Sequence, residues 1–181
     1  MPRKSDEVIE QLTALILQNE IKSGSEITQN ELSQSLGISR IPVREVLIIL
    51  EYIGLIEKLP NQHVRVAAIN LSYFQEIFSI AAEIELRILE KNFEDFDFCD
   101  EMSFHRNIIR LSENTFIKKM LDSILRIFIS FVLNDSRRSD MTEYLQKIII
   151  DIKSGRKDTV KENLFLYFNG LAESAWNIRN R

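Results

Sequence analysis

Cysteine occurs once in the 181 residues, at Cys99, which excludes an internal disulfide framework and suits a reducing cytoplasm. Five glycines and three prolines are few for such a chain, so folds built from many tight turns are disfavoured and long helices expected. Long apolar runs are missing as well. The most apolar window, SILRIFISFVL (123–133), is too short to span a bilayer and carries Arg126, so no membrane association is expected. MPRKSDEVIEQL has basic residues without an apolar stretch behind them, and no secretory signal is expected. Excess positive charge is absent: the net charge is −4, and residues 1–70 hold seven Lys/Arg against nine Asp/Glu. Bulk attraction to a polyanion is therefore excluded, and any contact with nucleic acid must come from the placement of a few residues. No phosphate loop, nucleophile–base arrangement or cofactor motif is present, so an enzyme is not expected.

What is present falls into two halves of different grammar, and the chain reads as mostly α. In the first, SDEVIEQLTALILQNE (5–20) places Val8, Leu12, Leu15 and Ile16 at helical spacing, with a break at Gly24. TQNE (28–31) is a capping box that opens a short helix burying Leu32 and Leu36 and closed by Gly37. Ser39 is placed to cap a third helix, with Pro42 in its tolerant first turn, Val43, Val46, Leu47 and Leu50 inward, and a stop at Gly54. Strand-like alternation at 55–59 and 64–68 flanks a turn at Pro60–His63. Three helices and a two-stranded ribbon make a winged helix-turn-helix. From Leu71 onward, apolar steps of three and four residues predict helices over 71–93, 97–112, 115–135, 140–154 and 157–178, an all-α bundle. Ile77, Ile80, Ala81, Ile84 and Ile88 mark the core stripe of the first of these. The expected organisation is a reading domain over 1–69 and a helical domain over 70–181.

ELSQSLGISRIPVREVLIILEYIGLIEK (31–58) closely resembles the DNA-binding segment of GntR-type bacterial transcription regulators, whose recognition helix opens with a Gly-hydrophobe-Ser-Arg-x-Pro-Val-Arg-Glu run. FHRNIIRLSENTFI (104–117) resembles the ligand-sensing helical (FCD) domain of the FadR-like subgroup, here in a shortened form. The resemblance implies that Ser39, Arg40, Ile41, Pro42 and Arg44 form the groove-entering end of a recognition helix. Arg40 is suited to a guanine edge, Arg44 to a phosphate or second base, and Ile41 to a thymine methyl. Asn30, beside the Thr28-capped helix start, is placed for a phosphate, and Gln62 and His63 at the wing tip for the minor groove. Family wings usually carry glycine at the tip; Asn61 is expected to supply left-handed geometry instead.

The same resemblance implies where the helical half departs from its relatives. Many members hold a divalent metal with one aspartate and three histidines, the aspartate four residues before the first histidine. Here that spacing falls on Glu101 and His105, while the other two positions fall near Leu145 and Tyr167, which offer no imidazole. His63 is the only other histidine, so no metal site is expected beyond a weak Glu101/His105 candidate. The bland reading of His105 pairs it with Glu101 or Asp100. Ala81 stands where an arginine is common, and NFEDFDFCDEM (92–102) replaces a further helix, which implies a smaller or altered pocket. Glu85, Glu101, His105, Arg106 and Asn114 are the inward polar candidates for an effector. The expected function is a homodimeric, cytoplasmic transcription regulator. It would bind palindromic double-stranded DNA, pair through its helical domain and respond to a small-molecule effector. The alternative is a winged-helix protein–protein interaction module that has lost effector sensing or DNA binding.

Overall fold

The computed structural model describes residues 4–61, 63–92, 98–138 and 140–181. Within these, a winged-helix region is followed by a larger all-α bundle, and the chain divides into two compact units between Ile69 and Asn70.

The first unit runs α1 (Lys4–Leu17), β1 (Glu26–Ile27), α2 (Gln29–Leu36), α3 (Arg40–Tyr52), β2 (Ile56–Lys58) and β3 (Val64–Val66). The helix expected to reach residue 20 stops at Leu17. Asn19 adopts φ 62°, and the Ile21 N–H returns to the Leu15 carbonyl at 3.0 Å, so an asparagine in the left-handed region ends this helix before Gly24. The ribbon has a third strand that alternation did not reveal. β1 pairs antiparallel with β3, giving the order β1-β3-β2, with Glu26 opposite Arg65 and Ile27 opposite Val64. Val8, Leu12 and Ile16 of α1 pack with Val43, Val46, Leu47 and Leu50 of α3 in one core, whereas Leu15 and Leu36 are only half-buried.

The second unit comprises α4 (Leu71–Lys91), α5 (Glu101–Leu111), α6 (Thr115–Ile124), α7 (Ser130–Leu133), α8 (Thr142–Lys153) and α9 (Lys157–Arg179). α5 starts at Glu101, capped by Asp100, whose carboxylate accepts the Ser103 N–H at 2.6 Å. The third helix, expected to run unbroken over 115–135, contains a π turn at Leu125–Ile129 that separates α6 from α7. α4 and α8 pack along α9. The core row of α4 is Phe74, Phe78, Ala81, Ala82, Glu85 and Leu89, while Ile77 and Ile84 are half-buried and Ile80 is 53% exposed. Of the stripe read from the sequence, Ala81 and Ile88 are buried as expected, whereas Ile77, Ile80 and Ile84 turn partly or wholly outward and Phe74 and Phe78 take the core instead. Gly170 on α9 seats the Met141 side chain, for a Cβ there would lie 2.0 Å from the Met141 methyl. Among the described residues no helix is long and apolar enough to cross a membrane.

Candidate functional site

The start of α3 is built by α2 and the turn between them. The Thr28 hydroxyl accepts the Glu31 N–H at 3.1 Å, and the Glu31 carboxylate accepts the Thr28 N–H at 2.7 Å. These Thr28 bonds hold the Glu31 carboxyl below the ordinary range. Gly37 ends α2 in the left-handed region at φ 63°, and the Ser33 hydroxyl donates to the Ile38 carbonyl at 2.5 Å across the turn. Ser39 occupies the N-cap position in extended conformation, yet its side chain makes no capping hydrogen bond, so its expected role as a side-chain cap does not hold. Pro42 is half-buried in the first turn, where its missing N–H leaves no helical bond broken.

The buried Val43, Val46, Leu47 and Leu50 fix the rotation of α3 and turn Arg40, Ile41 and Arg44 outward. Ile41 is 73% exposed. Neither arginine takes part in an ion pair among the described residues, so both guanidinium groups face solvent with their donors uncommitted. Asn30 is exposed in the first turn of α2. At the wing, the Leu59 N–H donates to the His63 carbonyl at 2.9 Å and the Asn61 side chain accepts the His63 N–H at 3.1 Å. Asn61 is exposed, His63 half-buried, and Gln62 lies outside the described residues. Asn61 does not have the expected left-handed backbone: among the described residues Asn19 is the one non-glycine with positive φ. Arg65 of β3 is engaged with Glu26 at 2.7 Å on the exposed face of the sheet.

In the second unit, six side chains from α4, α5, α9 and the stretch around the start of α8 meet in a buried polar centre. His105 Nδ1 lies 2.8 and 3.0 Å from the two carboxylate oxygens of Glu85, and Nε2 lies 3.0 Å from the Tyr167 hydroxyl. That hydroxyl donates to Glu101 Oε2 at 3.1 Å. The other Glu101 oxygen accepts from the Arg138 guanidinium and, at 3.5 Å, from the Thr142 hydroxyl. Phe104 and Phe168 enclose the imidazole with ring centroids 5.4 and 5.5 Å away. His105 and Tyr167 are wholly buried, and Glu85 and Glu101 nearly so. Burial, with the Glu101 and Glu85 carboxylates beside it, raises the Tyr167 phenol well above its ordinary range and keeps it a neutral donor.

Residues 4–66 match the family model described as bacterial regulatory proteins, gntR family. Over those residues the chain is similar to this family of regulators. The uncharacterized HTH-type transcriptional regulator YdhC of Bacillus subtilis is 25% identical over 88% of this chain and 85% of its own length. The uncharacterized HTH-type regulator Rv0043c of Mycobacterium tuberculosis is 34% identical, but over 31% of this chain and 25% of its own. Among solved structures, Lar, described as controlling expression of the Listeria monocytogenes agr system, aligns with a TM-score of 0.61 at 14% identity, covering 98% of each chain. E. coli McbR/YncC aligns with a TM-score of 0.58 at 16% identity, over 93% of this chain and 94% of that one. Both likenesses concern the fold.

Of the polar residues expected to face inward in the helical unit, Glu85, Glu101 and His105 do so and are brought together. Arg106 and Asn114 are not: both are exposed, and Asn114 caps α6 by accepting the Phe116 and Ile117 N–H groups. The expected partner of His105 also changes. Asp100 is exposed and occupied as a helix cap, and Glu101 reaches the ring only through Tyr167. Arg138 and Thr142 were missed because neither sits on a stripe or in a motif. Tyr167 had a usable signal, its position at the third histidine of the metal-binding relatives. A family-type metal does not fit these residues: both imidazole nitrogens and both Glu101 oxygens are engaged by protein groups, and the Leu145 position is apolar and buried.

Proposed function

We propose that this regulator is a sequence-specific DNA-binding protein of the FadR-like subgroup, with residues 1–69 as the reading domain and 70–181 as a shortened sensing and pairing domain. The observation that carries it is the start of α3, where Arg40, Ile41 and Arg44 stand outward on a helix whose opposite face is locked into the core. Arg40 reads a guanine edge, Ile41 meets a thymine methyl, and Arg44 holds a phosphate or second base. Ser39 and Pro42 set the start of this helix, Asn30 meets the backbone, and the wing tip at Asn61, Gln62 and His63 approaches the minor groove. A homodimer, formed through the helical unit, places two such helices on a palindrome. The outward row Ile77, Ile80 and Ile84 on α4 supports such pairing, being apolar surface that the monomer leaves accessible. A small-molecule effector acting on the helical unit would work by shifting the balance of Glu85, Glu101 and His105.

Selection of bound sequences from a random DNA pool, followed by gel shifts of Arg40→Ala and Arg44→Ala, tests the reading. Loss of a bidentate base contact is worth about 1–3 kcal/mol, or roughly 5- to 150-fold in selective affinity. Enrichment of no sequence, or variants that bind a selected site as tightly as the parent, would reject it. A protein-docking role has one observation in its favour, the exposure of Ile48 (56%) and Tyr52 (82%) further along α3. In that case both arginine variants would leave DNA binding unaltered because there would be none to alter.

A further inference from the structure

The polar centre of the helical unit contains Glu101 and His105, the pair that the resemblance to the FadR-like subgroup marks as metal-ligand positions, yet its geometry is closed by protein atoms. A bound cation does two things in such a centre: it balances buried carboxylates and it ties several helices to one point. Here the first task falls to Arg138, whose guanidinium reaches the nearly buried Glu101, while His105 Nδ1 lies within hydrogen-bond distance of Glu85. The second falls to Tyr167, whose hydroxyl bridges Glu101 and His105 from α9. The two carboxylates are thus each met by a nitrogen base, and α4, α5 and α9 are joined to the segment that leads into α8.

We infer that the Arg138 guanidinium and the Tyr167 hydroxyl replace the metal in this chain, and that Arg138 latches residues 140–142, which lead into α8, onto Glu101. Two further contacts hold that segment in place. Thr142 reaches the same Glu101 oxygen at 3.5 Å, and Met141 rests in the notch that Gly170 leaves on α9. A Cβ at 170 would lie 2.0 Å from the Met141 methyl, so this side chain would have to leave the notch. Nδ1 and Nε2 of His105 and both oxygens of Glu101 already have protein partners, so a metal could bind them only by displacing those contacts. The latch is independent of how α3 treats DNA.

Three measurements on the full-length protein test this. Protein purified without chelator is analysed for bound metal and melted with EDTA, with Zn2+ and with Mn2+. A site filled at a hundred times its Kd would raise Tm by roughly 5–10 °C for a chain of this size, whereas the latch predicts substoichiometric metal and no shift beyond error. Hydrogen exchange is then compared between the parent and Arg138→Ala. Amides of residues 140–145 are expected to exchange faster in the variant while those of α1 and α3 keep their rates, and Arg138→Lys is expected to restore part of the protection. Stoichiometric metal that EDTA removes with a fall in Tm would overturn the inference, and so would exchange at 140–145 that Arg138→Ala leaves unchanged. Should Arg138→Ala fail to fold, the milder Tyr167→Phe carries the same test, with faster exchange in α5 and α9 expected and unchanged exchange counting against the bridge.

Discussion

Removing one oxygen atom from the centre of the helical unit is expected to cost more than its size suggests. Tyr167→Phe keeps the ring among Phe168 and His105, so packing changes little and no cavity opens. What is lost is the donor to Glu101 Oε2 at 3.1 Å and the partner of His105 Nε2 at 3.0 Å, both in groups with almost no exposure to water. A buried polar group left without its partner costs about 1–3 kcal/mol. Two such groups together cost roughly 2–6 kcal/mol, centred near 4, from which about 1–2 kcal/mol is recovered because a phenyl ring needs no hydroxyl desolvation. The expected net loss is therefore about 2–4 kcal/mol. Urea unfolding followed by circular dichroism measures it, with a second probe on the winged unit because the two compact units need not unfold together. Tyr144→Phe is the control: Tyr144 is half-buried, its hydroxyl has no hydrogen bond among the described residues, and its loss is expected to be within about 0.5 kcal/mol of zero. A Tyr167→Phe loss as small as that of the control would refute the view that the hydroxyl ties Glu101 to His105. Arg138→Ala removes the other partner of Glu101, so the double variant is expected to depart from additivity by about 0.5–3 kcal/mol.

Thr28→Ala removes the capping box of α2 and is expected to lower stability of the winged unit by about 1 kcal/mol in thermal or urea unfolding. Thr13→Val replaces a buried hydroxyl that has no hydrogen-bond partner, and a gain of up to about 1 kcal/mol is expected in the same assay. At Asp151, burial raises the carboxyl, but the bonds from Arg156, Thr159 and Asn163 outweigh it, and the group is held below its ordinary value. Its contribution is therefore complete above the unfolded carboxylate value of about 4 and lost as pH falls through the lower folded value. Asp151→Asn should destabilise at neutral pH, and the gap between parent and variant should close as the medium is acidified below that value. A constant gap down to the acid transition would contradict it.

The parts of this molecule that were legible in its sequence are those fixed by neighbours along the chain. The capping box of α2, the left-handed Gly37 and the inward face of α3 each depend on residues within a few positions, and each stands as read. Strand β1 escaped notice because two residues show no alternation; its existence depends on pairing with β3, about forty positions away. The π turn escaped for a different reason. Residues 125–129 are apolar apart from Arg126, and apolar periodicity does not distinguish a five-residue hydrogen-bond step from a four-residue one over a single turn.

The polar centre shows the limit most sharply, because spacing along one helix brought the right residues to one face and named the wrong partners. Glu101 and His105 are one turn apart on α5, and an i,i+4 acid–base pair is the natural reading of such a spacing. That rule holds on an exposed helix, where no competing partner is close. Inside a bundle, each side chain is also within reach of two or three neighbouring helices, and the partner is chosen by which arrangement leaves fewest buried groups unmet. Pairing Glu101 directly with His105 would leave Glu85 on α4 and Arg138 on the segment before α8 both uncompensated. Separating them, with the Tyr167 hydroxyl between, gives every carboxylate a nitrogen or hydroxyl partner. The partners lie 20, 37 and 66 positions apart, so the choice depends on tertiary packing and has no local signature. The outward end of α3 needs only its own helix and its own core face to be recognisable. A polar centre assembled from four segments is different, which is why one half of this molecule could be read from motifs and the other had to be read from hydrogen bonds.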